Sequence, residues 1–352
     1  MELDIMSGAM ELGAMQSHAR SVESAGFGSV WLTESGRTAY LSCAAAGLAT
    51  DKLGVGTAIA VAFPRSPMVT ASTAWELADA TDGRFILGLG TQVKAHIERR
   101  YSSEYSHPGP RLKEYVESVK AIFRAFRGTE RLHFDGDFYQ FSLLPGQWSP
   151  GPIPSPDPPI YVSAVLPWMS RMAGEVCDGI HIHPFNSPEY IAKVQVPAVA
   201  AGLARSNRSL EDITFVIPVM TAVGSTDEEV ASTREHARMM IAFYGSTRTY
   251  SPVFETHGFD GLSEYLHGRQ REGDMTAMLA AITDDVLDHY IASASWGDLG
   301  AALANRYRDV APNVRVVTYT AAHQLGSDPE VLDKWSDVAA AVKRESRTQA
   351  AQ

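Results

Sequence analysis

Cysteine is nearly absent from this chain: there are two in 352 residues, Cys43 and Cys177, in no CxxC or Cys/His spacing. That excludes a disulfide framework and points to a reducing compartment. Long apolar runs are missing too. The longest stretches have strand length, well short of the ~20 residues a membrane helix needs, and the opening Met1–Gln16 lacks the basic start of a secretory signal. A cytoplasmic protein that does not engage the membrane is the expectation. Positive charge is in deficit, with a formal net charge of −11, which disfavours nucleic acid as a partner. The sequence has no P-loop, no nucleophile elbow and no metal-ligand spacing. His181 and His183 stand at i, i+2 without a third ligand nearby, so no metal site is expected. Nor does a G-x-G-x-x-G follow the first strand pattern, which leaves a Rossmann domain without support.

What the chain does have is alternation. Gly54–Val61 is an uncharged strand pattern running into the corner Phe63-Pro64-Arg65-Ser66-Pro67. A helix pattern over Met68–Asp79 follows, then an apolar strand, Phe85–Leu89, closed by Gly88-Leu89-Gly90-Thr91. Strand, loop, helix and strand at this spacing form a βαβ unit of a parallel sheet. The same rhythm predicts strands at Leu3–Met6, Ser29–Leu32, Pro159–Ser163, Gly179–His183, Phe215–Val223 and Val314–Thr318. Helices are predicted between them, among them a strongly amphipathic one over Arg111–Arg127 and others over Asp227–Tyr244, Leu287–Ile291 and Leu299–Val310. Eight strands alternating with helices favour a single α/β domain, a (β/α)8 TIM barrel over residues 1–352, rather than an open doubly wound sheet. Within it we expect a hairpin and Pro/Gly-rich loop at about 131–158, an insertion at about 245–285 and a frayed tail at 345–352.

Three stretches carry a family likeness. They are Gly26-Phe27-Gly28-Ser29-Val30-Trp31-Leu32-Thr33-Glu34, ATDGRFILGLGTQ at 80–92, and PPIYVSAVLPWMSRMAGEVCDGIHIHPF at 158–185. In this order, and over nearly the whole chain, they resemble the bacterial luciferase-like superfamily of flavin and deazaflavin oxidoreductases. GLGTQVKAH at 88–96 is similar to the branch that uses coenzyme F-420, the deazaflavin. The resemblance implies a barrel whose mouth holds the cofactor and passes a hydride between F-420 and a small organic substrate. An FMN-dependent monooxygenase, fed by oxygen and a separate reductase, is the alternative, and a cofactor-binding protein without turnover is a third. It also implies a homodimer through the helices after strands two and three, where Met68, Val69, Ala71 and Ala74 lie.

Site residues follow from the same resemblance. Ala58, Ile59 and Ala60 fall at a bulge, often with a non-proline cis peptide, that presses on the cofactor ring. Gly90, Thr91 and Gln92 would bind it too, because glycine lets the backbone approach closely. Ser163, Ala164, Val165 and Leu166 lead into a helix whose free N–H groups suit a phosphate; the family often has glycine where Val165 and Leu166 stand. Ser35 occupies the corner where many deazaflavin relatives carry histidine, and a serine can only relay a proton. Glu34 and His183 are then the candidate acids, His183 with an unperturbed pKa of ~6.5. Phe63, Arg65, His96 and His181 are candidates for the substrate pocket. Alternation sends His181 and His183 to the same side of their strand, either the lumen or the helix layer. The basic run Lys94–Arg100 could grip an anionic cofactor tail, meet a partner subunit, or form a solvated face.

Overall fold

The computed structural model describes residues 1–319 and 329–348. Eight parallel strands are formed where the apolar runs lie: β1 (Glu2–Ser7), β2 (Ser29–Leu32), β3 (Gly54–Thr57), β4 (Phe85–Gly90), β5 (Ile160–Ala164), β6 (Gly179–Ile182), β7 (Thr214–Gly224) and β8 (Val314–Tyr319). Each pairs in parallel with the next, and β8 pairs back onto β1, so the sheet closes on itself. It is a (β/α)8 barrel, with helices over the outside. No described helix is long and apolar enough to cross a membrane.

Side-chain alternation divides each strand between helix layer and lumen. Trp31, Tyr161, Val216 and Val317 meet in the lumen as one apolar cluster. At the amino end the lumen is closed by charge. Asp4, fully buried, accepts a hydrogen bond from Trp31 Nε1 (2.8 Å) and two from Arg315 (2.6 and 2.7 Å). Arg315 also donates to Ser29 Oγ at 2.8 Å and pairs with Glu2 at 2.8 Å.

Several elements differ from the sequence expectation. Gly54–Val61 is not one strand: β3 stops at Thr57, the Ala58–Ile59 peptide is cis, and Ala60–Val61 re-pairs with Leu89–Gly90 of β4. Leu287–Ile291 is not a helix. The helix there is Asp284–Asp288, and Ile291–Ser295 is a further parallel strand. The reason is an unpaired edge, for β6 covers only residues 214–216 of the eleven-residue β7, and Ile291–Ser295 pairs with residues 220–224. Because Gly224 lies opposite Ser295, the chain leaves and rejoins the barrel at one point. The excursion between them is wider than 245–285, and its core of Ile241, Phe254, Leu266, Met278 and Tyr290 is continuous with Phe185, Tyr190 and Met220 of the barrel. At 131–158, a two-residue hairpin (Phe134–Asp135 with Gln140–Phe141) is anchored by Glu114, whose buried carboxylate accepts the N–H groups of Asp137, Phe138 and Tyr139. Residues 345–348 end the last helix, Pro329–Thr348, rather than fraying, and 349–352 lie outside the described residues.

Candidate active site

The mouth of the barrel is shaped by two glycines. Thr57 Oγ1 donates to the Gly88 carbonyl (2.6 Å) and accepts from the Gly88 N–H (2.9 Å), inserting a side chain between β3 and β4. A Cβ on Gly88 would lie 1.8 Å from the Thr57 carbonyl oxygen and 2.7 Å from His181 Nε2, so no side chain fits there. One on Gly90 would lie 2.6 Å from Ile59 Cδ1 and 2.8 Å from Ser163 Oγ. Ile59, Gly90 and Ser163, from three different strand ends, therefore converge on one spot: an apolar face, bare backbone and a single hydroxyl.

Behind that spot stands a brace. Glu34, almost fully buried, accepts from the Val61 N–H (2.7 Å) and from Arg65 Nη1 (2.9 Å) and Nη2 (2.5 Å). Arg65 also donates to the Val61 carbonyl at 2.9 Å. Both residues fix the chain that follows Ala58–Ile59. Glu34 is thus committed as an acceptor and is not free as an acid, and Arg65 supports the wall from behind rather than lining it. Phe63 is likewise buried, its ring 6.0 Å from Tyr105 with the Arg111 guanidinium 4.7 Å above it.

On the far side, the carbonyls of Ala164 and Val165 are held by Gln195 Nε2 (3.2 and 3.3 Å), and Val165 also by the Tyr190 hydroxyl (2.9 Å). Leu166 opens the helix Pro167–Val176 with no side-chain cap on its first turn. Gln92 has positive φ (56°), and its Oε1 accepts from the Val93 N–H, folding the side chain onto its own backbone. Thr91 is half-buried beside it. His96 is exposed on the helix Lys94–Arg99. Arg100 donates to the Ser35 carbonyl, so this segment reaches the Ser35 corner, but the serine itself is exposed.

Both histidines of β6 and its end face the lumen side. His181 meets Trp31 edge-on at 4.8 Å and Tyr161 at 5.8 Å; neither ring nitrogen has a hydrogen-bond partner among the described residues. Burial pushes its pKa down to about 3. His183 accepts the Phe185 N–H on Nδ1 (3.1 Å), which leaves the ring proton on Nε2. Burial lowers its pKa to about 4. The unperturbed pKa expected for His183 is therefore not what the fold provides: at neutral pH the ring is uncharged, a hydrogen-bond donor but no ready acid. Three tyrosines escaped sequence reasoning. Tyr244 and Tyr250 pack on the His183 ring at 4.9 and 4.8 Å, and the Tyr244 and Tyr319 hydroxyls lie 2.6 Å apart. Tyr319 continues the lumen-facing series Arg315, Val317 and could have been found by alternation; Tyr244 and Tyr250, inside the excursion, left no such signal. Among the described residues, no group of three or more His, Cys, Asp or Glu could hold a metal ion.

A closed parallel barrel with glycine-thinned strand ends and polar groups gathered at its carboxyl mouth is the architecture of a barrel enzyme. The particular family is given by sequence: the profile of the luciferase-like monooxygenases matches residues 2–312, so the chain belongs to that family and is an oxidoreductase. An uncharacterized protein of Mycobacterium tuberculosis is 37% identical over 314 residues, covering 89% of this chain and 92% of its own. The 5,10-methylenetetrahydromethanopterin reductase of Methanolobus tindarius is 29% identical over 279 residues, covering 78% and 80%. Among solved structures, the coenzyme F-420 dependent tetrahydromethanopterin reductase from Methanopyrus kandleri superposes with a TM-score of 0.76 at 18% identity, covering 96% of this chain and 98% of that one. An F-420-dependent secondary alcohol dehydrogenase in complex with an F-420–acetone adduct gives 0.72 at 16% identity, covering 97% and 98%. At these identities the two structures speak for the fold.

Proposed function

We propose that this chain is an F-420-dependent oxidoreductase of the cytoplasm, acting at the barrel mouth on a small organic substrate. The observation that carries the site is the convergence of Ile59, Gly90 and Ser163, a cradle that any Cβ at position 90 would fill. A flat tricyclic ring fits it: Ile59 offers an apolar face, Gly90 lets the ring edge meet backbone, and Ser163 supplies one hydroxyl. Relatives named as F-420-dependent, such as the glucose-6-phosphate dehydrogenase of Nocardia farcinica at 27% identity, support the choice of deazaflavin over FMN. When bound, the reduced deazaflavin would supply a hydride. The protein's part is to hold and orient. Glu34 and Arg65 keep the chain at Ala58–Ala60 in place, and Gly90, Thr91, Gln92 and the run Ser163–Leu166 present backbone and hydroxyl groups. His183 and the tyrosines around it form the opposite wall, where a substrate would lie.

Equilibrium binding of F-420 and FMN to the same preparation tests this reading. F-420 is expected to bind more tightly. A tenfold preference for FMN, ~1.4 kcal/mol, would hand the site to the monooxygenase reading instead. Gly90→Val should weaken F-420 binding by at least about tenfold, with little change in the thermal unfolding midpoint, because the clashes are with the side chains of Ile59 and Ser163 and not with backbone.

We also propose a homodimer. Ala71 and Ala74 are turned into the chain's own core, so they cannot form the interface expected of them. The apolar side chains left outside are Leu41 and Val69, each 55% exposed, and Leu48, on or beside the helices Ala39–Gly47 and Pro67–Ala80. A stable interface over that face should bury more than ~1,000 Å² in total. Light scattering is expected to give twice the chain mass for the wild type and the monomer mass for Leu41→Lys. A monomeric wild type at micromolar concentration would end the idea.

A further inference from the structure

We propose that Tyr244 and Tyr319 are a proton-donating pair. One phenol gives its proton to the substrate heteroatom as hydride reaches the adjoining carbon, and the other holds the resulting phenolate through its own hydrogen bond. This rests on the oxidoreductase reading above and names the groups that complete it.

Position comes first. Arg315 and Val317 face the lumen, so Tyr319, two residues on, faces it at the carboxyl end of β8. Tyr244 closes the last turn of the helix Asp227–Gly245 and stands edge-on to the His183 ring. Both tyrosines are half-buried, so neither is sealed in the core. Hydrogen counting comes next. The two hydroxyls are 2.6 Å apart and share one hydrogen bond. Whichever donates, the other keeps an O–H with no partner among the described residues. The pair therefore presents one free phenolic proton beside the site.

The rival donors are each otherwise engaged. The Glu34 carboxylate is held by Arg65 and the Val61 N–H. His183 is uncharged at neutral pH, Ser35 is out in solvent, and His181 is sealed beneath Gly88. Burial and the Tyr319 hydroxyl push the Tyr244 pKa well above the usual phenol value. It therefore stays protonated through the neutral range and donates to the Tyr319 oxygen, which places the free proton on Tyr319 and makes Tyr244 the phenol that holds the phenolate.

The step balances. A carbonyl or imine carbon takes the hydride with its electron pair, the π bond to the heteroatom breaks, and the heteroatom takes the phenolic proton. The phenolate regains a proton from water.

The test uses the full chain loaded with reduced F-420 and a substrate that turns over. Single-turnover oxidation of the cofactor is followed across the neutral range for wild type, Tyr244→Phe and Tyr319→Phe, with Tyr265→Phe, on the outer face, as control. Each of the first two substitutions should slow the chemical step by roughly 100-fold, the usual scale for a lost acid. KM and F-420 affinity should be unchanged, and the wild-type rate flat with pH. Ultraviolet titration of the cofactor-free protein gives an independent readout: Tyr319→Phe should lower the pH at which the Tyr244 phenolate appears, because Tyr244 loses the acceptor that holds its proton. Unchanged rates in both Phe variants with F-420 binding intact would overturn the pair alone. Failure of the wild type to bind F-420 would overturn the cofactor assignment and this proposal with it.

Discussion

Asp4→Ala is expected to destabilise the protein by about 3–5 kcal/mol, the usual loss when one partner of a buried ion pair is removed. Asp4 is fully buried and is the shared acceptor for Trp31 Nε1 and two guanidinium nitrogens of Arg315. Without it, a mostly buried cation and an indole N–H lose their partner at the closed end of the lumen. Glu2 remains near Arg315, but it is 45% exposed and cannot substitute. Urea unfolding of Asp4→Ala and Glu2→Ala checks the point, with the second expected to cost under about 1 kcal/mol, as surface pairs do. Equal losses from the two would show that the pair is not the structural closure described above.

The second large effect is acid lability. His181 and His183 are held neutral by burial, with folded pKa values of about 3 and about 4, well below an unfolded value near 6.5. The sign follows from linkage. Below pH ~6.5 the unfolded chain takes up protons that the folded chain refuses, so stability is full above that pH and falls as pH drops toward 4. At about pH 5 each histidine should have removed about 2 kcal/mol, at 1.4 kcal/mol per pH unit below its unfolded pKa. His18, also lowered by burial and hydrogen-bonded to Ser7 Oγ at 2.8 Å, adds in the same direction. His181→Leu should leave stability at pH 7 unchanged or raised, since it replaces two unpartnered buried nitrogens, and should flatten the acid limb. An unchanged limb in that variant would contradict the assignment.

Much of this molecule can be read from its sequence, and the boundary has a physical basis. All eight barrel strands announce themselves because each is largely buried and so appears as a short, mostly apolar run; the charges that β1 and β8 do carry, Asp4 and Arg315, pair with each other. The further strand Ile291–Ser295 does not: it exists only because β7 outruns β6 and leaves donors and acceptors to be met, a fact of register rather than composition. At the site, the glycine positions 88 and 90 were legible because glycine signals close backbone approach. Glu34 was harder. A carboxylate at a strand end has the same letter whether it faces a substrate or an arginine, and only the fold brings Arg65 to it. The shift at His183 was invisible for the same reason, since burial sets it and Tyr244 and Tyr250, which pack on the ring, come more than sixty residues downstream.

The pairing of Gly224 with Ser295 carries a last consequence. Two residues 71 positions apart lie side by side, so everything between them leaves and rejoins the barrel at one place, as a handle does, and leans on it through contacts such as His257 on Ser187 and Phe254 on Phe185. Cutting the chain at those two places and joining β7 straight to the helix Trp296–Tyr307 leaves an ordinary strand–helix–strand turn. The barrel and the spot where Ile59, Gly90 and Ser163 converge would keep every strand pairing that closes them, while Tyr244 and Tyr250 would be lifted away with the excursion. The molecule thus comes with its own pair of splice points, and a different handle could be fitted to the same vessel.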